Sequence, residues 1–197
     1  MKKILIFSLP LLFFFVLTSV VQASSEYFTL ADAVAKADLV IIGEKIAENS
    51  QNVKNNTYYP NWIEIRPIKI LKGSTNQKNI KCGGVASISE KNPERNIVYN
   101  HQYLILLYKS IPAKAFPDRP DYYASICPPH PDGLEFITCM RTFFLIKKNT
   151  INVNGKIISI NELTKALKNP LVVTMRGKLS CLDVKLVDWG NRPKYKK

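Results

Sequence analysis

Residues 62–71 read Trp62-Ile63-Glu64-Ile65-Arg66-Pro67-Ile68-Lys69-Ile70-Leu71, and this stretch is the most informative about the fold. Ile63 and Ile65 share one parity along a strand, whereas Ile68 and Ile70 share the other. A strand that keeps one face on a core must insert an extra residue to change parity, and Pro67, which has no amide hydrogen, is expected at a bulge or an edge. Bulged, strongly coiled strands are typical of small closed barrels, although two short strands joined by a bend fit the same residues.

Other strands are predicted on either side of this one. Leu39–Ile42 and Tyr103–Tyr108 are apolar at consecutive positions, as in strands that are covered on both faces, and Gly43 indicates a kink or a bulge. Asn154-Gly155 is a two-residue hairpin turn. About eight strands in all predict a single mainly β (α+β) domain, and a barrel rather than a sandwich.

Two short helices are predicted from their capping residues. Thr29 with Asp32 three residues later, and Ser159 with Glu162, have the spacing of a capping box. The second helix is expected to extend to about Leu167, before the next proline of the chain.

The chain resembles exported bacterial proteins that carry a netrin-like or metalloproteinase-inhibitor-like module. The resemblance lies in Ala37–Gly43, in the strand ending Ile70-Leu71-Lys72-Gly73, in Tyr103–Leu106 and in Phe143–Leu167, and it covers about residues 28–168. It implies an OB-like coiled β-barrel of five strands with two short flanking helices. The animal inhibitors insert an N-terminal Cys-x-Cys into the metal site of their target, whereas Ser24-Ser25-Glu26 stands here, so this mode of inhibition is not implied.

The first 23 residues are expected to be a signal peptide. Two lysines precede an apolar stretch that is short for a membrane span, and Val21-Gln22-Ala23 offers small residues at the cleavage positions. An uncleaved anchor is the alternative. We therefore expect an exported protein, periplasmic or secreted, without a transmembrane segment in the mature chain. Residues 24–190 would form the domain, and residues 191–197 a basic, disordered tail.

Charge is distributed unevenly along the chain. The formal charge of +13 falls to +11 once residues 1–23 are removed with their two lysines. Residues 24–65 have a net charge of −3, residues 66–81 of +5, and residues 165–197 of +7. If the two basic regions meet, they form an electropositive face for polyanions. Its predicted residues are Arg66, Lys69, Lys72, Arg176, Lys178 and Lys185, with Tyr58, Tyr59 and Trp62 placed to stack. Alternatively, these lysines only keep the surface soluble and the strand edges unpaired.

Four cysteines remain in the expected mature chain. An even count in an exported protein favours two disulfides, for which three connectivities are possible. Cys127 and Cys139 bracket a proline-rich loop, which favours their pairing and leaves Cys82 to pair with Cys181. A metal site at Cys127, His130 and Cys139, with the distant His101, is the alternative, but oxidised thiols do not bind zinc. We predict neither a metal nor a cofactor.

No catalytic residue is predicted. The chain has two histidines and none of the HExxH, GxSxG or P-loop motifs. The favoured hypothesis is a non-enzymatic exported interaction module that binds a protein partner or an acidic surface. A periplasmic enzyme without a recognisable motif is the alternative, as is an inhibitor or immunity-type protein that blocks a cognate enzyme through residues 110–139.

Overall fold

A computed structural model describes residues 27–49, 62–84, 91–109, 120–126, 139–168 and 181–188. The strands are β1 Tyr27–Thr29, β2 Leu39–Asn49, β3 Trp62–Lys72, β4 Ile80–Gly83, β5 Gln102–Lys109, β6 Tyr122–Tyr123, β7 Ser125–Ile126, β8 Met140–Arg141, β9 Phe143–Leu145, β10 Thr150–Val153, β11 Lys156–Ser159 and β12 Lys185–Asp188. The helices are α1 Leu30–Lys36 and α2 Ile160–Leu167.

Five strands close into a barrel. β2 pairs with β3, β3 with β4, β4 with β6, β6 with β5, and β5 returns to β2. The β4–β6 pair is parallel and the other four pairs are antiparallel. The prediction of a mainly β, OB-like barrel with two short helices is therefore confirmed. β9 extends the sheet beside the first half of β5.

The barrel wall separates two apolar cores, because successive side chains of a strand point to opposite faces. On β2, Leu39 and Ile41 contribute to the inner core, whereas Val40 and Ile42 contribute to the outer core. The inner core also contains Ile63, Ile65, Ile80, Cys82, Ile97, Tyr103, Ile105, Leu107, Tyr122, Ala124, Phe143 and Leu145. The outer core lies under α1, α2, the β10–β11 hairpin and residues 181–184. The consecutive apolar residues of β2 and β5 are thus explained by burial on both faces.

The β2–β3 pair contains the bulge that the sequence predicts near Pro67. Gly43 pairs with Pro67 and Ile42 with Lys69, so Ile68 is the extra residue. Further register shifts occur at Leu71 and, on β2, at Ile46. The bulge does not return both isoleucines to the core, however, since Ile68 and Ile70 remain 49% and 41% exposed. β4 explains this exposure, because it pairs with β3 only from Ile63 to Ile65.

The predicted caps and hairpin turn are present. The Thr29 hydroxyl accepts a hydrogen bond from the Asp32 amide at 3.1 Å, and Asp32 accepts one from the Thr29 amide at 2.8 Å. Ser159 caps α2 by accepting from the Asn161 amide at 3.2 Å, so the cap is present but the predicted capping box with Glu162 is not formed. Asn154 and Gly155 have φ values of 50° and 89°, the left-handed pair that a type I′ turn requires.

Some sequence predictions fall outside the described residues. They are the signal peptide at residues 1–23, the basic tail at residues 191–197 and the blocking loop, of which only residues 120–126 and 139 are described. Among the residues that are described, no helix is long and apolar enough to cross a membrane.

Candidate interaction site

The second half of β3, Arg66–Lys72, extends past the end of β4, and we call it the projecting half of β3. It pairs with β2 along one edge, and within the described ranges no strand pairs with its other edge, the open edge. Leu71 packs against the outer core, whereas Ile68, Lys69 and Ile70 are exposed. The projecting half of β3 therefore presents apolar and basic side chains beside unpaired backbone.

Arg66 is exposed but already has an acidic neighbour. Its guanidinium forms an ion pair with Glu44, its cross-strand partner on β2, with Nε 3.1 Å from the Glu44 carboxylate. Positive charges that lie along one surface add to its electrostatic field. Because Glu44 neutralises Arg66, the predicted electropositive face has one positive charge fewer.

Lys72 binds the C-terminal end of α1. Its ammonium donates to the carbonyl oxygens of Val34, Ala35 and Ala37 at 2.7, 3.0 and 2.7 Å. These carbonyls have no partner inside the helix, and the negative end of the helix dipole favours a cation there. Burial lowers the pKa of Lys72, and the Asp38 carboxylate acts in the opposite direction. The structure thus gives Lys72 a structural role in addition to its predicted place in a binding face.

Of the remaining predicted cations, the structure describes Lys69 and Lys185. Lys69 is exposed on the projecting half of β3, and Lys185 is exposed at the start of β12, where its backbone pairs with Thr29. Arg176 and Lys178 lie outside the described residues. Lys72 and Lys185 are thus near opposite ends of α1, because Thr29 caps its N-terminus.

Trp62 begins β3 and contacts a basic side chain of β4. The Lys81 ammonium lies 4.8 Å from the centroid of the Trp62 ring, a cation–π distance. The indole Nε1 is buried and has no hydrogen-bond acceptor among the described residues. Tyr58 and Tyr59, the other predicted stacking residues, lie outside those residues.

The predicted Cys82–Cys181 disulfide is wrong in this structure. Both side chains are buried thiols, and they belong to different cores, Cys82 to the inner one and Cys181 to the outer one. The barrel wall lies between them. The Cys82 thiol donates to the Gly83 carbonyl at 3.3 Å, and burial raises its pKa to about 12, so it is a poor nucleophile. Cys127 is not among the described residues, so its pairing with Cys139 stays a prediction.

One buried charge is not anticipated by the sequence. Lys45 lies on the inward face of β2, forms an ion pair with Glu48, and has its ammonium 4.5 Å from the centroid of the Tyr99 ring. The register shift at Ile46 lies between the two paired residues. A lysine that is buried in this way is usually paired, which is what the structure shows. The only sequence signal is a single lysine at an inward position of an apolar strand.

The fold and the projecting half of β3 define the class: a closed OB-like barrel with one projecting strand. In the part of the chain that is described, no three histidine, cysteine or acidic side chains are grouped to hold a metal ion. Comparisons with family models, with curated proteins and with solved structures found no match to this chain. Function must therefore be inferred from the geometry of the site itself.

Proposed function

We propose that the protein is an exported, non-enzymatic interaction module that binds a protein partner through the projecting half of β3. The observation that carries the proposal is the exposure of Ile68 and Ile70, at 49% and 41%, next to an open strand edge. Large apolar side chains beside unpaired backbone are a liability on a soluble protein unless a partner covers them.

The netrin-like or inhibitor-like module remains part of this proposal. A closed five-strand barrel with helices on its outer face is compatible with it. Its binding mode must differ from the metal-directed wedge of the animal inhibitors, because the expected mature chain begins Ser24-Ser25.

Photo-crosslinking tests the location of the partner site. A photoreactive amino acid replaces Lys69 in one variant and Ile157, an exposed residue of β11, in the control. We expect one stoichiometric protein adduct from position 69 in the exported fraction, and none from position 157. The purified partner should rebind the wild-type protein and lose affinity for Ile70→Asp. The same adducts at both positions, or none at position 69, would contradict the proposal. Catalytic turnover by the isolated protein would contradict its non-enzymatic part.

A second candidate function, binding of an acidic surface, is favoured by the Trp62–Lys81 contact. An aromatic ring beside an ammonium group is a common element of polyanion-binding surfaces on OB barrels. Two described facts weigh against it, since Arg66 is paired with Glu44 and Lys72 is bound to α1. Binding of this kind should weaken as the salt concentration rises.

A further inference from the structure

We infer that a second surface of the protein, formed by Arg95, Arg141, Lys147 and Lys148, binds a linear acidic polysaccharide. We call these four residues the basic cluster. They lie on the turn that precedes β5, on β8 and on the β9–β10 turn, whereas the proposed partner site lies on β3. The inference therefore goes beyond the proposed function and does not depend on it.

Two side-chain contacts bring the basic cluster together from separate segments of the sequence. The Arg141 guanidinium donates to the backbone carbonyl of Arg95, and the Lys147 ammonium forms an ion pair with Glu94. Because Glu94 and Arg95 are consecutive, both cations contact the same turn, and Lys148 directly follows Lys147. Four positive charges and one carboxylate thus share this surface, which has a net charge of +3.

Backbone hydrogen bonds fix the two turns that carry the cluster. The Asn92 carbonyl accepts from the amides of Arg95 and Asn96, both at 3.0 Å. Across the β9–β10 turn, Lys147 and Thr150 exchange two backbone hydrogen bonds of 2.9 Å. The backbone from which these cations extend is therefore ordered before a ligand binds, which lowers the entropic cost of binding.

The charged groups of the cluster are accessible to a ligand. All four residues are exposed, and the Lys147 side chain is 67% exposed even within its ion pair. Neither Arg95 nor Lys148 has an ion-pair partner among the described residues. An ion pair as exposed as Lys147–Glu94 contributes little in water, so an anionic ligand can compete with Glu94 for Lys147.

The weakness of each exposed contact favours a polymeric anion over a small one. A single anion would gain one or two such contacts, whereas a polymer forms several at once. A polymer also releases several bound counterions when it associates with a group of cations, and this release drives binding. Guanidinium groups such as those of Arg95 and Arg141 suit the carboxylates or sulfates of acidic sugars, which they can bind in a bidentate manner.

The apolar residues of the same segments are buried, which disfavours a protein or a membrane as the ligand. Ile97, Phe143 and Leu145 are 0%, 5% and 6% exposed, and all three belong to the inner core. Protein interfaces are centred on apolar side chains that lose their water, and stable attachment to a bilayer requires inserted apolar groups besides charge. An acidic polysaccharide requires neither. The expected export of the chain favours a polysaccharide over a nucleic acid.

Competition between polyanions tests the chemical class of the ligand. The full-length exported protein is bound to immobilised polygalacturonate at low salt and displaced by soluble competitors at equal concentrations of anionic charge. We expect polygalacturonate to displace it at a concentration at least fivefold lower than polyglutamate or phosphatidylglycerol vesicles. Displacement by polyglutamate at an equal or lower concentration would replace the polysaccharide with an acidic protein segment, and the same result with vesicles would replace it with a membrane.

Neutral variants test the location of the site. Arg95→Gln with Lys148→Gln should lower the affinity for polygalacturonate at least fivefold and reduce its dependence on salt, because fewer counterions are released. Lys156→Gln with Lys165→Gln, a matched pair of exposed lysines on β11 and α2, should change the affinity by no more than twofold. Equal losses in the two double variants would mean that the polymer responds to net charge alone, and the inference would be wrong.

The carboxylate of Glu94 provides a test with the opposite sign. Glu94→Gln frees the Lys147 ammonium and should raise the affinity for polygalacturonate at least twofold. Glu162→Gln, which removes the same charge from an exposed position on α2, should have less than half of this effect. This comparison still decides the matter if the Arg95 and Lys148 double variant does not fold. Equal effects of the two glutamine substitutions would overturn the inference.

Discussion

A single lysine joins two elements that are far apart in the sequence. The ammonium group of Lys72 reaches three carbonyl groups at the end of α1 because Lys72 pairs with Val40, shortly after the helix ends. The residue type and its place in a basic region suggest a surface role. The structural role depends on the β2–β3 register, which includes two extra residues of β3 at Ile68 and Leu71. Sequence periodicity does not determine that register.

Removing this ammonium should destabilise the fold. Lys72→Met keeps most of the aliphatic side chain but leaves the carbonyls of Val34 and Ala37 without their donor. We expect the free energy of unfolding to fall by about 1–3 kcal/mol, the usual cost of losing a charged hydrogen-bond donor at a helix C-terminus. Lys69→Met is the matched control and should change it by no more than about 0.5 kcal/mol. Urea denaturation of both variants measures the difference, and equal effects would contradict the structural role.

The buried Cys82 thiol should make the protein sensitive to alkali. The unfolded thiol has a pKa near 9.0, and burial raises it to about 12 in the folded state. Between these values the unfolded chain binds fewer protons than the folded one, so the free energy of unfolding falls as pH rises. The contribution of Cys82 to stability is complete below pH 9 and is lost progressively above it.

Comparison with Cys82→Ala isolates this effect. Above pH 9, stability of the wild-type protein should fall more steeply than that of the variant, by up to about 1.4 kcal/mol per pH unit. The raised pKa values of Tyr103 and Tyr122, which also result mainly from burial, affect both proteins alike. Urea denaturation at pH 8.5, 9.5 and 10.5 gives the slopes. Parallel slopes would mean that Cys82 is ionised, exposed or disulfide-bonded in the folded protein.

At the scale of elements, the turn after β3 depends on one glycine. Gly73 has a φ of +80°, and a Cβ atom there would lie 2.3 Å from the carbonyl oxygen of Asp38. Gly155, in the β10–β11 turn, has a φ of +89° but nothing within 4 Å of a Cβ atom. The two positions thus share the left-handed backbone and differ in steric contact.

Alanine substitutions at Gly73 and Gly155 distinguish the cost of a left-handed backbone from the cost of a steric clash with Asp38. Gly155→Ala should lower the free energy of unfolding by about 1 kcal/mol, the cost of a left-handed conformation for a residue with a Cβ atom. Gly73→Ala should lower it by at least about 1 kcal/mol more, because the backbone of Asp38 must also move. Thermal or urea denaturation measures both variants. A smaller effect at Gly73 than at Gly155 would contradict the geometry of this turn.

The sequence predicts the elements better than it predicts their surroundings. The apolar runs of β2 and β5, the bulge after Pro67 and the Thr29 cap are local patterns, and all are present. The exposure of Ile70 is not local, since it depends on where β4 stops pairing with β3. An isoleucine on a strand is therefore assigned to a core by periodicity even when the neighbouring strand is too short to cover it.

For the molecule as a whole, the predicted Cys82–Cys181 disulfide is wrong because the number of cysteines carries no information about the topology of the chain. Cys82 and Cys181 are both apolar core positions, and the chain arranges its cores on opposite faces of one closed wall. Sequence spacing says nothing about which face a distant residue occupies. The same limit applies to the six predicted cations, whose grouping depends on how remote segments meet.

Salt dependence tests whether the whole molecule binds polyanions through a defined face. Because bound counterions are released on association, retention on heparin should weaken as salt rises. Lys69→Glu with Lys78→Glu should lower the eluting salt concentration more than Lys91→Glu with Lys156→Glu, a pair of exposed lysines on other elements. Chromatography of both double variants makes the comparison. Equal reductions would mean that heparin senses net charge alone, and the acidic-surface candidate would then be abandoned.

The barrel is closed by its shortest strand, β6. β6 consists of two residues, and it holds β4 and β5 together through Cys82, Gly83, Tyr108 and Lys109. Every other junction of the ring involves at least three paired positions. The pairing of β6 with β4 and β5 is thus the weakest part of the barrel wall, and we call it the seam. Local opening of the barrel should start at the seam rather than along β2. In native-state hydrogen exchange, the amides of Tyr122 and Tyr123 should exchange at least about tenfold faster than those of Val40 and Ile41. Transient opening at the seam would expose the inner core while the outer core stays packed.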